Sequence, residues 1–265
     1  MFKMLLATKN KGKVKEIRSI FSDLPVKLIE LPEKDVDEVN ENGKNYFENA
    51  LKKAKHYAEK YNLPTLADDS GLEIDALSGA PGINSARFLG METGFDQKID
   101  KILELMKDVK NRTARFRATF VLYLPKEDKY FTTEGIAEGE ILHKPQKKEG
   151  SGFGYDPIFK PAGFDESFSM LGTDIKNQIS HRSKALNEMK KIIVNEFLGG
   201  SGMVEIKVNG KRLPANKYVY KVFESVILAL LDTLKDIPEI KKVEITIDKE
   251  KGDNPCSHRE EPKAM

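Results

Sequence analysis

The chain has 265 residues, 39% hydrophobic and 32% charged, which is enough apolar material for one large core or for a domain with a small appendage. Its 44 basic and 42 acidic residues leave a formal charge of +2, so charge balance gives no case for nucleic acid or an anionic membrane as the main partner. A single cysteine, Cys256, excludes an internal disulfide framework and a CxxC zinc or redox motif.

No apolar run approaches the roughly 18 residues of a membrane-spanning helix. The opening apolar segment, residues 2–7, is too short for a signal peptide and reads as a buried strand, so a cytoplasmic location is expected. A helix follows over residues 11–21, with Val14, Ile17 and Phe21 on one face, and then a second strand over 26–31. Residues 43–61 carry Phe47, Leu51, Ala54 and Ala58 at helical spacing. Leu63-Pro64 ends that helix, and a short strand at 65–67 runs into Asp68-Asp69-Ser70-Gly71. Two β-rich runs, 114–124 and 129–141, flank Pro125-Lys126-Glu127-Asp128 as a hairpin. A glycine-rich stretch at 150–157 interrupts the pattern, and a helix from about 183 to 197 closes the domain with Leu186, Met189, Ile193 and Phe197 on one face. The alternation of apolar runs and amphipathic segments is that of an α/β protein.

Gly199-Gly200-Ser201-Gly202 cannot sustain a helix and marks the clearest boundary, whether as a natural or an engineered linker. Residues 1–198 therefore read as one domain. Residues 203–250 read as a small α+β module: an alternating strand at 204–208, an Asn209-Gly210 turn, an apolar helical stripe over 219–234, and a strand at 243–247. With no clustered catalytic residues, this strand-helix-strand unit reads as a dimerisation or stability module, and its partner is not legible. The polar tail, 251–265, reads as disordered.

Four clusters could carry chemistry. Thr8-Lys9-Asn10-Lys11-Gly12-Lys13 lies between a strand and a helix, where free amides and lysines form a phosphate cradle, although a solvated lysine-rich turn reads much the same. Asp68 and Asp69 at a strand's carboxyl end would suit magnesium, which takes one or two carboxylates with water and phosphate oxygens. The bland alternative is an acidic turn capped by Ser70. Gly152-Phe153-Gly154-Tyr155-Asp156-Pro157 combines close backbone approach with rings that could stack on a base, or is simply a tight turn. Lys176 with Ser180-His181-Arg182 at a helix start forms an anion- and carbonyl-seeking group.

The order of these clusters resembles the inosine-triphosphate pyrophosphatase family, also called Ham1-like. The matching pieces are residues 6–13, Glu41-Asn42-Gly43, Phe47-Glu48-Asn49-Ala50, residues 67–72, Ala80-Pro81-Gly82-Ile83, Ser85-Ala86-Arg87-Phe88, residues 152–159 and residues 176–182. The resemblance covers residues 1–197 and implies a mixed-sheet fold of two lobes around a substrate cleft, usually homodimeric. It also implies Mg²⁺-dependent hydrolysis of ITP, dITP and XTP to the monophosphate and pyrophosphate, with free nucleotides as the partners. By position, Thr8, Lys9, Asn10, Lys11, Gly12 and Lys13 hold the triphosphate. Glu41 and Asp69 match metal-binding positions, and Asp69 also matches the proton acceptor. Ser70, Phe153, Gly154, Tyr155, Asp156, Lys176, His181 and Arg182 match substrate contacts. Residues 145–150 lack an arginine-glycine pair that many relatives carry before the glycine loop. Two other readings are a Maf-like pyrophosphatase of different specificity and a nucleotide sensor without turnover. The clustered carboxylates argue against the sensor, and the 180–182 segment and glycine loop argue against the Maf-like enzyme.

Overall fold

The computed structural model describes residues 2–32, 39–147 and 154–198, with 207–208, 211–212, 226–227, 230 and 233 beyond them. Strand β1 (Phe2–Leu6) opens the chain, and helix α1 (Lys11–Ile20) follows within a few residues. Asn10 makes that sharp start possible. Its Oδ1 accepts from the backbone N–H groups of Gly12 (2.9 Å) and Lys13 (3.2 Å), two donors that a helix start leaves without intrahelical partners. Strand β2 (Val26–Glu30) pairs parallel with β1. Helix α2 (Tyr46–Tyr61) begins three residues after the expected Gly43, because Asn45 is extended and its Oδ1 caps the Glu48 N–H at 2.8 Å.

Strand β3 (Thr65–Ile74) corrects one expectation. The acidic cluster is not a turn at the end of a short strand but the middle of a ten-residue one. The cause is its partner. Strand β4 (Thr113–Leu124) pairs antiparallel with all ten residues, from Thr65↔Tyr123 to Ile74↔Ala114, so the ladder carries the backbone straight through Asp68 and Asp69. Strand β1 reaches only Thr65 and Leu66. The two aspartates therefore lie just past the carboxyl end of the parallel part of the sheet, the edge where α/β sheets take ligands.

The hairpin of β4 and β5 (Lys129–Ile141) forms as the pattern predicts, and β6 (Phe159–Pro161) adds a short antiparallel edge. The resulting six-stranded mixed sheet has the order β2-β1-β3-β4-β5-β6. Alternate residues of a strand face opposite sides. On one side Leu66, Ala118, Phe120 and Leu122 pack against α1 and α5 (His181–Phe197). Further along the same side, Leu72, Ile74 and Phe116 pack with Ile99 and Ile102 of α3 (Phe95–Leu105). Asp68 and Ser70 fall at the step between these two apolar clusters. On the opposite side Ala67, Val121 and Tyr123 meet Ala50, Ala54 and Ala58 of α2, and Asp69 faces that way.

A short helix, α4 (Thr173–Ile179), leads into α5, which starts two residues before the expected Ser183 because the Ser180 Oγ accepts from the Ser183 N–H at 3.1 Å. Helix α5 approaches β5 closely at Gly135. A Cβ there would lie 2.0 Å from the His181 carbonyl oxygen and 2.7 Å from the Ala185 nitrogen.

The chain divides into two compact units, Met1–Ser201 and Gly202–Met265. In the second, β7 (Lys207–Val208) and β8 (Lys211–Arg212) pair antiparallel on either side of Asn209-Gly210. Val226, Ile227 and Leu230 of the anticipated apolar stripe are helical, with Val226 and Leu230 exposed. The strand expected at 243–247 and the tail at 251–265 lie outside the described residues.

Gly135→Ala should destabilise the chain by about 1–3 kcal/mol, because α5 must move off the sheet to admit the methyl group. Equilibrium denaturation in urea checks this, and an unchanged midpoint would show that the approach of α5 is not constrained at Gly135.

Candidate active site

Adjacent carboxylates at Asp68 and Asp69 are both buried, at 2% and 7% exposure, yet they point to opposite sides of the sheet. Asp68 faces α1, where the Lys13 Nζ donates to its Oδ2 at 2.7 Å. Burial alone would raise the Asp68 carboxyl, but the ammonium groups of Lys13 and Lys53, with Arg182 behind them, hold it below the usual carboxylate range. Asp69 faces α2, and its two oxygens accept from the Ser70 N–H (2.9 Å) and the Asn49 Nδ2 (2.8 Å). Burial lifts the Asp69 carboxyl above its ordinary value, helped by the charges of Glu41 and Asp68 and opposed by Lys53 and the Asn49 hydrogen bond. Two neighbours in sequence are thus pushed apart in acidity, which leaves one a permanent anion and the other a better proton acceptor.

Lys53 is the cation that the sequence reading missed. It projects from α2 and its Nζ lies 2.6 Å from Glu41 Oε1. Burial would depress its ammonium, but Asp68, Glu41 and Asp69 together raise it above the ordinary lysine value. Arg87, from the Ser85-Ala86-Arg87-Phe88 segment, stands 3.7 Å from the other Glu41 oxygen. Among the described residues no three His, Cys, Asp or Glu side chains are grouped as metal ligands. Two carboxylates beside a lysine do fit magnesium, which completes its sphere with water and phosphate oxygens.

The Asp68 side of the sheet gathers most of the remaining predicted residues. Arg182, nine-tenths buried, donates from Nε to Glu16 Oε2 at 2.6 Å. Burial would weaken its charge, but Glu16, Asp156 and Asp68 keep the guanidinium protonated. His181 is buried and lies flat on the Phe116 ring at 4.8 Å. Burial, reinforced by Arg182, Lys176 and Lys13, pushes its imidazole well below the ordinary histidine value, so it is neutral at pH 7. Its Nδ1 is buried without a hydrogen-bond partner. Lys176 of α4 is ion-paired with Asp156. The 8–13 segment supplies Thr8, whose Oγ1 accepts from the Asn10 N–H at 3.2 Å, together with exposed Lys9, Lys11 and Gly12 on the approach to Lys13.

Two predicted residues stand differently. Tyr155 belongs to the core: it is 2% exposed, donates its hydroxyl to the Ser85 carbonyl at 2.9 Å and meets Phe95 edge-on. Its ring is not free to stack on a base. Gly154 takes a left-handed φ of 64° and turns the chain beside Phe95. Phe153 lies outside the described residues, as do residues 148–150 of the segment that lacks the arginine-glycine pair. A separate cavity of about 690 Å³ opens between Phe47, Arg117, Thr119 and Glu134. It contains none of the predicted residues. The charge cluster rather than this cavity is the candidate site, since it gathers the buried Asp68 and Asp69 with Lys13, Lys176 and Arg182.

The chain is similar to known proteins over most of its length. Residues 4–192 match the model of the Ham1 family. The chain belongs to the Ham1 family. A dITP/XTP pyrophosphatase of Dictyoglomus thermophilum is 44% identical over 201 residues, 74% of this chain and 97% of that protein. One from Oceanobacillus iheyensis is 42% identical over 196 residues, 72% of this chain and 98% of its own length. The structure of a HAM1 protein from Coxiella burnetii, 37% identical, superposes with a TM-score of 0.69 over 74% of this chain and all of its own. In this Ham1 family member the remainder, beyond residue 192, falls outside the family match.

The buried neutral imidazole has a consequence for stability. In the unfolded chain His181 titrates near its ordinary value of about 6.5, whereas the native ring resists protonation far below it. Below that pH the unfolded state takes up a proton that the native state refuses, so stability falls as pH falls. His181→Asn should therefore lose less stability than wild type between about pH 6.5 and pH 5, compared by urea denaturation at each pH. Parallel profiles for the two proteins would mean that His181 does not resist protonation in the native state.

Proposed function

We propose that this chain hydrolyses non-canonical purine nucleoside triphosphates, dITP, XTP and ITP, to the monophosphate and pyrophosphate, with Mg²⁺ held by Glu41 and Asp69. The observation that carries the reading is the pair Asp68 and Asp69, split between two faces of β3, with Lys13 bonded to Asp68 and Lys53 paired with Glu41 near Asp69. Relatives named dITP/XTP pyrophosphatase, at 42% and 44% identity, support the substrate class.

A magnesium ion held by Glu41 and Asp69 would neutralise charge on the phosphate oxygens and open the phosphorus to attack. Everything else falls to the side chains. Lys13 and the 8–12 segment hold the triphosphate, and Lys53 offers its charge to the phosphate oxygens on the α2 side. Asp69, its basicity raised by burial, orients a water and accepts its proton as the water oxygen bonds to the α phosphorus. The bond from the α phosphorus to the bridging oxygen breaks, and pyrophosphate leaves with that electron pair. On the base, Arg182 and neutral His181 donate to the 6-oxo group of hypoxanthine or xanthine. Adenine carries an amino donor there and would leave those donors unpaired, at about 1–3 kcal/mol each. Guanine shares the oxo group, so its exclusion rests with the 2-amino side.

The chemistry resides in residues 1–198, and 203–250 form a separate module joined through 199–202. As part of the same reading, the enzyme works as a homodimer on free nucleotides in the cytoplasm. Among the described residues no helix is long and apolar enough to cross a membrane.

Pyrophosphate release should be measured against dITP, ITP, XTP, dGTP and ATP, with Mg²⁺ and with a chelator. The 6-oxo, 2-amino-free nucleotides should exceed ATP by at least about 100-fold in kcat/KM, and activity should vanish with the chelator. A chain ending at Leu198 should give the same ranking. Equal use of ATP, or orthophosphate as the product, would exclude this reading.

A further inference from the structure

Residues 41–44 lie outside α2 but are bonded to it one by one, in reverse order. The Lys44 N–H donates to Glu48 Oε2 at 2.8 Å, and the Gly43 N–H to Asn49 Oδ1 at 2.7 Å. The Lys52 Nζ donates to Asn42 Oδ1 at 2.7 Å, and the Lys53 Nζ lies 2.6 Å from Glu41 Oε1. The loop is therefore laid down along the first two turns of the helix, with Glu41 at its far end.

One of these four links does a second thing. Asn49, with no solvent exposure, also donates from Nδ2 to Asp69 Oδ2 at 2.8 Å. Its amide orientation is forced, since a backbone N–H can only donate and an ionised carboxylate only accepts. Asparagine is suited to this place because one planar group must accept on one edge and donate on the other. Aspartate could not donate to Asp69, and alanine could do neither. Gly43 is part of the same fit: a Cβ there would lie 2.7 Å from Asn49 Oδ1 and 2.8 Å from the Glu48 Cβ.

We propose that Asn49 is a positioning residue that fixes the Glu41 loop and Asp69 relative to each other and so sets the geometry of the divalent cation site. The inference rests on the reading of Glu41 and Asp69 as the ligands. The remaining oxygen of Asp69 is held by its neighbour's N–H, so Asn49 is the only described side chain that hydrogen-bonds both elements. Partners of this kind, one shell out from a metal, typically change affinity by about 10–100-fold when removed.

The test is a calorimetric titration of the nucleotide-free full-length protein with Mn²⁺, a hard cation that favours the same oxygen ligands. Asn49→Ala should weaken Mn²⁺ binding by about 10–100-fold. Gly43→Ala, on a half-buried loop, disturbs the same amide without emptying a core position and should weaken binding in the same direction. Lys52→Ala cuts a neighbouring, exposed link and should leave affinity within about threefold of wild type. A loss in Asn49→Ala and Gly43→Ala with Lys52→Ala unaffected supports the assignment. Wild-type affinity in either folded variant, or an equal loss in Lys52→Ala, overturns it and makes the amide a structural group. Failure of the wild-type chain to take up Mn²⁺ overturns the metal reading itself, and this inference with it.

Discussion

Placing Asp68 and Asp69 side by side in the interior of β3 is the constraint on which the rest of the unit depends. Each buried carboxylate costs several kcal/mol in lost hydration, and two in succession repel as well. A strand is the arrangement that separates them most for adjacent residues, since it turns alternate side chains to opposite sides of the sheet. Each face must then supply its own compensation. Lys13 arrives on α1 for Asp68, while α2 brings Asn49 and Lys53 for Asp69. The two helices are thereby positioned by electrostatics as much as by the apolar contacts of Val14 and Ile17, or of Ala50 and Ala54.

The same arrangement explains why the site is charged on both sides of one strand. Asp68, held acidic, anchors a basic surface made of Lys13, Arg182 and Lys176 around neutral His181. Asp69, made more basic by burial, stands with Glu41 and Lys53. On the proposed reading, an anionic substrate would meet cations on one side and a carboxylate pair on the other, an arrangement suited to cleavage assisted by a divalent ion. Gly135 serves this from a distance, because without a side chain there α5 can bring His181 and Arg182 against the sheet.

Much of this was legible in the sequence, and the reasons differ by element. β1, α1 and the β4–β5 hairpin follow from strong apolar periodicity, and their bounds shift by no more than a residue or two. Asp68 to Gly71 are expected at the end of a short strand because local composition sees two acids, a serine and a glycine. It does not see the β4 partner that holds them extended over a ten-residue ladder. The pattern reading left α3 unassigned, and its inward face includes buried Lys98, whose ammonium donates to the Ala86 carbonyl at 2.5 Å and so interrupts the apolar stripe. α4, seven residues or about two turns, is too short for periodicity to register. In the site, the family resemblance pointed to the acids and the His181-Arg182 pair. Lys53 is missing from the expected site, and Asn49, although part of the matched Phe47-Glu48-Asn49-Ala50, is given no role there, because a lysine and an asparagine on an amphipathic helix read as solvated. Only the fold shows that Asn49 is buried with Asp69 against it. Tyr155 shows the opposite error: an aromatic in a glycine loop reads as a ligand platform, but the chain spends it on the core.

The account makes Asp69 the proton acceptor and leaves the nucleotide held by groups from other elements. Asp69→Asn keeps the volume and a partner for the Ser70 N–H but removes both the basic oxygen and one carboxylate of the proposed cation site. Turnover of dITP should fall by at least about 1,000-fold, while the dissociation constant for dITP, measured calorimetrically without a divalent ion, should stay within about tenfold of wild type. Turnover within about threefold of wild type would contradict the account, since water would then be activated somewhere other than at Asp69.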